Sequence, residues 1–153
     1  MKLSHLDQMG RARMVDVGDK PMMDRTAVAT GAIRMTREAF QQVADQAVAK
    51  GDVLAVSEVA GTLAAKRTAE LIPLCHPLGL DHVELEASLD ETLPGVRVQA
   101  SVRTVGRTGV EMEALTAVSV ALLTVYDMVK AADPAMVIVD VRLVEKKKAP
   151  LNT

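Results

Sequence analysis

An α+β fold, one antiparallel sheet with helices on a single face, is predicted by three features of the sequence. Residues 82–90 and 96–103 each alternate apolar with polar side chains, and Glu91-Thr92-Leu93-Pro94-Gly95 between them has the turn chemistry of a hairpin. Residues 109–131 carry apolar side chains at three- and four-residue spacing, the period of a helix. Along the whole chain, segments of strand and helix period follow in the order strand, helix (broken in two), strand, strand, helix, strand.

Each element has its own justification. Residues 1–20 are polar and weakly patterned and read as an arm of the kind that orders against a partner chain. Asp16, Lys20 and Arg25 punctuate the arm and the next strand, and solvated charge is the plain explanation of all three. Residues 26–33 favour a strand through Val28 and Ile33. Thr36 can cap a helix running to residue 49, where Lys50-Gly51 supplies a basic last turn and a glycine stop. Asp52 starts a second helix running to about residue 69, with Val53, Val56, Val59, Ala60 and Leu63 on its inner side. Lys66-Arg67 comes near its end, where cations suit the helix dipole. In Leu71-Ile72-Pro73-Leu74-Cys75-His76-Pro77-Leu78 the prolines exclude a regular helix, leaving a stiff loop that holds Cys75 and His76 in fixed directions.

After the hairpin, Thr108 and Glu111 have the spacing of a capping box, so the long helix is expected to begin near Gly109. Leu115, Val118, Leu122, Val125 and Val129 form one apolar stripe; Ala114, Ala117, Ala121, Thr124 and Met128 form a second, of mostly small side chains. A helix apolar on two sides is buried on two sides, here against a sheet and another helix. Its uninterrupted apolar run is shorter than the ~20 residues a bilayer requires. A last strand follows Pro134 over residues 136–144, and Lys146-Lys147-Lys148 reads as a solvated or phosphate-seeking end. This order is the ferredoxin-like β-α-β-β-α-β arrangement. It divides the chain into a polar arm (1–20), one domain (21–148) and a short tail (149–153). The second sheet face is left bare, carrying either Arg97 and Arg103 or their apolar neighbours, so association through helices or sheet is expected.

Composition narrows the function classes. A chain of 153 residues makes one domain with a real core. With one Phe, one Tyr and no Trp that core is aliphatic, and nine methionines fill its gaps. The same scarcity removes the stacking platforms that single-stranded nucleic acid needs, and a net charge of −2 removes the basic field. Neither nucleic acid nor a membrane is expected as a partner. One cysteine excludes an internal disulfide, and no amino-terminal apolar segment resembles a signal peptide, so a cytoplasmic location is expected.

The candidates for chemistry are Lys50, Lys66, Arg67, Cys75, His76, Glu111, Glu113, Asp127 and Lys130. A zinc site fails because no second cysteine or spaced histidine pair completes the ligands of Cys75 and His76. A Cys–His nucleophile pair fails because neighbours on an extended backbone point apart. Gly106-Arg107-Thr108-Gly109 lacks the Lys-Ser/Thr of a P-loop. For Glu111 the helix cap is an adequate explanation; Glu113 and Asp127 each interrupt an otherwise apolar face. Those two lie about 21 Å apart on one helix. A single small-molecule site uses both only if two copies run antiparallel in an isologous pair. Asp127 and Lys130 are surface neighbours, and a lysine–carboxylate site for proton transfer is the chemistry that remains. These residues alone leave enzyme and binding module unseparated.

KRTAELIPLCHPL (66–78) and GVEMEALTAVSVALLTVYDMVKA (109–131) resemble the cyclic pyranopterin monophosphate synthase family, MoaC, and ARMVDVGDKP (12–21) with KGDVLA (50–55) extends the likeness over nearly the whole chain. The resemblance implies an enzyme of molybdenum cofactor biosynthesis. It would rearrange cyclised dihydro-GTP to cyclic pyranopterin monophosphate and release pyrophosphate. A ferredoxin-like fold, a homo-hexamer built as a trimer of dimers and a site at a dimer interface are implied as well. Position by position, Asp127 and Lys130 match the family's catalytic pair and Lys50 its other active lysine. Leu74-Cys75-His76 and Met112-Glu113 match substrate-binding segments, with Glu111 beside them, and Asp16, Lys20 and Arg25 match arm positions. Val129 departs from the cysteine many members carry. On this reading lysines of lowered pKa and a carboxylate trade protons during ring opening and closure. His76, Lys66 and Arg67 are candidates for the phosphates, although Lys66 and Arg67 are equally explained as helix-end charges. No cofactor is required, and Mg²⁺ is possible with the triphosphate. The other reading is a ferredoxin-like module that senses a nucleotide without turning it over.

Overall fold

The computed structural model of the chain describes residues 3–152. Its elements are β1 (Met23–Arg34), α1 (Arg37–Ala44), α2 (Val53–Lys66), α3 (Thr68–Leu71), β2 (His82–Asp90), β3 (Gly95–Gly106), α4 (Glu111–Val129) and β4 (Val137–Ala149). The strands form one antiparallel sheet in the order β2-β3-β1-β4. The expected α+β, ferredoxin-like topology is therefore the observed one, with the α1–α2 and α4 connections both crossing one face.

Alternation decides which face is covered. Ala27, Ala29 and Ile33 of β1 and Val96, Val98, Ala100 and Val102 of β3 are buried. Beside them Val118, Leu122, Val125 and Val129 of α4 are sealed, and Leu115 packs against this cluster. On its other side α4 lies along α2. Close approach depends on glycine at two places. A Cβ on Gly31 would meet Val118, Leu122 and Val141, and one on Gly61 would stand 2.9 Å from the Ala117 carbonyl oxygen of α4. Long and apolar as α4 is, it is a core helix rather than a lipid-facing one.

The second sheet face is polar. Arg97 and Arg103, not their neighbours, project from it: Arg103 makes a bidentate pair with Asp24 (3.0 and 2.8 Å), and Arg97 pairs with Asp90. On the outermost strand β2, the Ala87 N–H donates to the Glu58 carboxylate of α2 at 2.8 Å. That contact occupies a donor on a strand otherwise prone to pair with another chain.

Five expectations at element level are corrected. The helix capped by Thr36 (Ala39 N–H to Oγ1, 3.2 Å) stops at Ala44, not residue 49. Gln46 takes φ 53°, with hydrogen bonds from Ala47 to the Gln42 carbonyl and from Gln46 to the Val43 carbonyl. This is a Schellman ending built on glutamine rather than on the glycine at 51.

Asp52 does cap α2 (Ala55 N–H to Oδ1, 3.0 Å), but the helix ends at Lys66 and a separate turn, α3, follows. Its inner side is Val53, Ser57, Gly61, Ala64 and Ala65, while Val56, Val59 and Leu63 are 43%, 61% and 47% exposed. Small residues face α4 because the two axes run close, which turns the larger side chains outward.

The capping box is not formed: α4 begins at Glu111 after Val110, with no side-chain cap. Glu111 thus stands at the first helical position, two residues too early to reach back as a box requires.

Finally, β4 continues to Ala149. Lys146, Lys147 and Lys148 pair with Ala27, Thr26 and Arg25 of β1, so the lysines are a strand end and not a tail. Bulges with Asp140 at φ 57° break the register on the way, which hides the strand's length from a period-two reading.

Candidate active site

The two ends of α4 carry separate clusters. At its end, Asp127 bridges two lysines. Its Oδ1 accepts from Lys130 Nζ and its Oδ2 from Lys50 Nζ, each at 2.7 Å, and its backbone carbonyl takes a second bond from Lys50 at 3.1 Å. Lys50 is 77 residues away in sequence. The short loop between α1 and α2 delivers it. Gln46 ends α1, Gly51 turns at φ 106° with its N–H on the Val48 carbonyl, and Asp52 opens α2.

Two expectations about this triad change. All three side chains are about half exposed, so Asp127 interrupts no buried face. Lys130 also does not drift toward neutrality. Hydrogen bonds from Lys130 and then Lys50 hold the Asp127 carboxyl down at about 2, and Asp127 in turn raises Lys130 above its ordinary value. In this arrangement Asp127 is a fixed anion and Lys130 a fixed proton donor.

At the start of α4 lies a cavity of about 690 Å³, lined by Leu74, Cys75 and His76 from the proline-flanked loop and by Glu111, Met112 and Glu113 from the helix. That volume is in the range of small-molecule sites. The Cys75 N–H bonds the Ile72 carbonyl at 3.1 Å, a turn that aims Cys75 at the helix. Its thiol donates to Glu113 Oε1 at 3.6 Å. Glu113 is only 3% exposed, and its Oε2 is buried without a protein hydrogen-bond partner. Burial raises the Glu113 carboxyl above its ordinary value; burial and then Glu113 itself push the Cys75 thiol up to about 11. Cys75 is therefore a slowly reacting neutral thiol at neutral pH, a wall and hydrogen-bond donor.

Glu111 behaves differently from its neighbour. Burial opposes its charge, but Lys146 at 2.5 Å, its own N–H at the helix start and the charge of Arg25 together lower its carboxyl. Lys146 joins this pocket to a second, basic one of about 570 Å³ lined by Lys20, Arg25, Lys146 and Lys148 with Pro21 and Met23. Arg25 is partly committed: its guanidinium donates to the carbonyls of Gly106 (2.9 Å) and Arg107 (3.1 Å), bracing the loop before α4. Behind the main cavity, Lys66 shares a 120 Å³ space with His76 and Glu113. Arg67 is left at the α2–α3 junction, where its backbone N–H caps the Ala64 carbonyl. Asp16 serves a turn, accepting from the Gly18 N–H at 2.8 Å. Among the described residues no group of three or more His, Cys, Asp or Glu is placed to hold a metal ion.

Sequence reasoning left Lys146 and Lys148 in a solvated or phosphate-seeking end and missed the partner of Lys146. Three consecutive lysines after the last alternating valine look like a solvated end, and only pairing with β1 brings Lys146 against Glu111. The single available signal was the excess of cations facing the acidic start of α4.

Burial of Glu113 carries a pH dependence. A raised folded-state pKa means that its contribution to stability is fully present below the ordinary value of 4.5 and is lost as pH rises through the folded value. Glu113→Gln, neutral at every pH, should therefore stabilise the fold at pH 8 by about 1 kcal/mol or more. The gain should vanish near pH 4, and thermal melts of both proteins across that interval measure it.

Fold and clusters define a ferredoxin-like protein with a nucleotide-sized pocket at one end of its longest helix and a lysine–carboxylate triad at the other. The chain belongs to the MoaC family, whose match covers residues 14–149. It is 58% identical over 144 residues to a protein of Dinoroseobacter shibae and 58% identical over 144 residues to one of Heliobacterium modesticaldum. A Roseiflexus protein is 59% identical over 144 residues. In each case 94% of this chain and 91% of the relative are covered, and each relative is named cyclic pyranopterin monophosphate synthase.

Proposed function

We propose that the chain is a cyclic pyranopterin monophosphate synthase of molybdenum cofactor biosynthesis. It converts cyclised dihydro-GTP into cyclic pyranopterin monophosphate and releases pyrophosphate. The observation that carries this reading is the union of Lys50, Asp127 and Lys130, because rearranging a purine-derived ring demands repeated proton transfer between fixed donors and acceptors. Lys130, held charged by Asp127, gives a proton to the ring nitrogen or oxygen that gains charge as the ring opens. Lys50, on the other carboxylate oxygen, stabilises the same developing anion.

The pocket at the start of α4 suits the heterocycle. Met112 supplies an apolar face, while Glu113 and Cys75 offer a buried acceptor and donor to its polar edge. Lys20, Arg25, Lys146 and Lys148 suit the triphosphate, with His76 and Lys66 beside the α-phosphorus from which pyrophosphate departs. Any Mg²⁺ enters with the triphosphate as part of the substrate. No observation favours a sensing module over catalysis.

Because the two clusters sit at opposite ends of one helix, the working site takes both from different subunits of a homo-oligomer, a trimer of dimers. The apolar stripe of Val56, Val59 and Leu63, continued by Leu123 of α4, supports packing against a second copy. An unpaired cysteine and a reaction within nucleotide metabolism support a cytoplasmic location. Incubation of the purified protein with cyclised dihydro-GTP should yield pyrophosphate and cyclic pyranopterin monophosphate in equal amounts. Binding without pyrophosphate release overturns the assignment in favour of the sensing module.

A further inference from the structure

The amino-terminal arm is not a loose end. Residues 5–13 form a small hairpin in which Leu6 bridges Ala12 and the Arg13 N–H bonds the His5 carbonyl at 2.8 Å. Asp7 builds its turn. Oδ1 accepts from the N–H groups of Met9 and Arg11, both at 2.8 Å, and Oδ2 accepts from Arg11 Nε at 3.1 Å. Gly10, at φ 76°, supplies the left-handed residue that the turn needs.

This preformed hairpin borders the 690 Å³ cavity, lining it with His5 and Ala12 alongside the proline-flanked loop and the start of α4. One hydrogen bond ties it there: His76 Nε2 lies 2.7 Å from the Val15 carbonyl oxygen. A carbonyl only accepts, so Nε2 carries the proton and His76 is the donor. The side chain placed to meet a phosphate is therefore already engaged by the arm.

We propose that the arm is a lid over the pocket, latched shut by His76 on Val15, which must swing aside before a nucleotide enters and frees His76 for the ligand. This rests on the pocket being the nucleotide site, and the test separates the two claims. The hairpin moves as a body because its bonds are internal. The turn at residues 17–20, with the Lys20 N–H on the Val17 carbonyl at 3.1 Å, lies where it joins β1.

Cys75, the only cysteine, lines the cavity beneath the lid and reports its opening through its rate of alkylation by iodoacetamide. Loss of one latching hydrogen bond should raise the open population, and so the rate, by about fivefold in His76→Phe. His76→Gln, which keeps an N–H donor near the same reach, should label at the wild-type rate. Asp7→Ala unravels the hairpin without touching the core and should label at least as fast as His76→Phe, with unchanged circular dichroism. Equal rates in all four proteins overturn the lid. Acceleration in only one of Asp7→Ala and His76→Phe also overturns it, since latch and hairpin are then not one device. GTP added to the wild type should slow labelling. If it does not, the pocket is no nucleotide site, and the variants still decide whether the arm covers it.

Discussion

Asp127→Ala should lower turnover of cyclised dihydro-GTP by about 10²–10⁴-fold, the span removed with a positioned acid–base group. The carboxylate joins Lys50 to Lys130, so its loss frees Lys130 and leaves Lys50 only its bond to the backbone carbonyl at that position. Lys130→Ala should fall by a similar factor, and the double variant should be little worse than either single one, because the residues act as a unit. Binding of GTP should survive in all three, since the pocket at the start of α4 and the basic pocket beside it supply the nucleotide contacts without the triad.

The same variant tests the shared site. Asp127→Ala chains retain the helix start, and Glu113→Ala chains retain the helix finish. Neither should turn over alone, but refolded together at equal ratio they should recover about a quarter of wild-type activity, as random pairing of an isologous dimer restores one site in four. No recovery, with mixed oligomers demonstrated by mass, places the whole site in one subunit.

The largest effect on stability is expected at Leu122. Its side chain, in the middle of α4, is fully sealed against β1 at Gly31, so Leu122→Ala should cost about 2–5 kcal/mol through lost transfer energy and an unfilled cavity. For a chain of this size that lowers the midpoint by about 2–4 °C per kcal/mol. Chemical denaturation at constant slope measures it. Leu123→Ala, next in sequence but 57% exposed, should change the isolated fold little. Any loss there should instead appear as weaker self-association.

Glu113 and the Cys75-His76 pair stood out in the sequence because each breaks a local rule, a charge within an apolar helix or polar groups between two prolines; Asp127 stood out on the same ground, but its face is exposed. Lys50 stood among the candidates and Lys146 in a solvated or phosphate-seeking end, but the partner of neither was legible, since a surface lysine has no local signature that separates it from solvated charge. The start of α4 was misjudged for a related reason. The Thr108–Glu111 spacing fits a cap, yet a cation brought from β4 competes for the same carboxylate.

What the sequence by itself determined was the order of elements, the sheet's covered face and the sealed stripes of α4, because hydrophobic period and turn chemistry are local properties. Tertiary structure alone decided which side of α2 turns inward, where β4 ends and which ammonium meets which carboxylate. Those outcomes depend on how closely two helices approach and on how strands far apart in sequence come into register. No window of neighbouring residues encodes such distances.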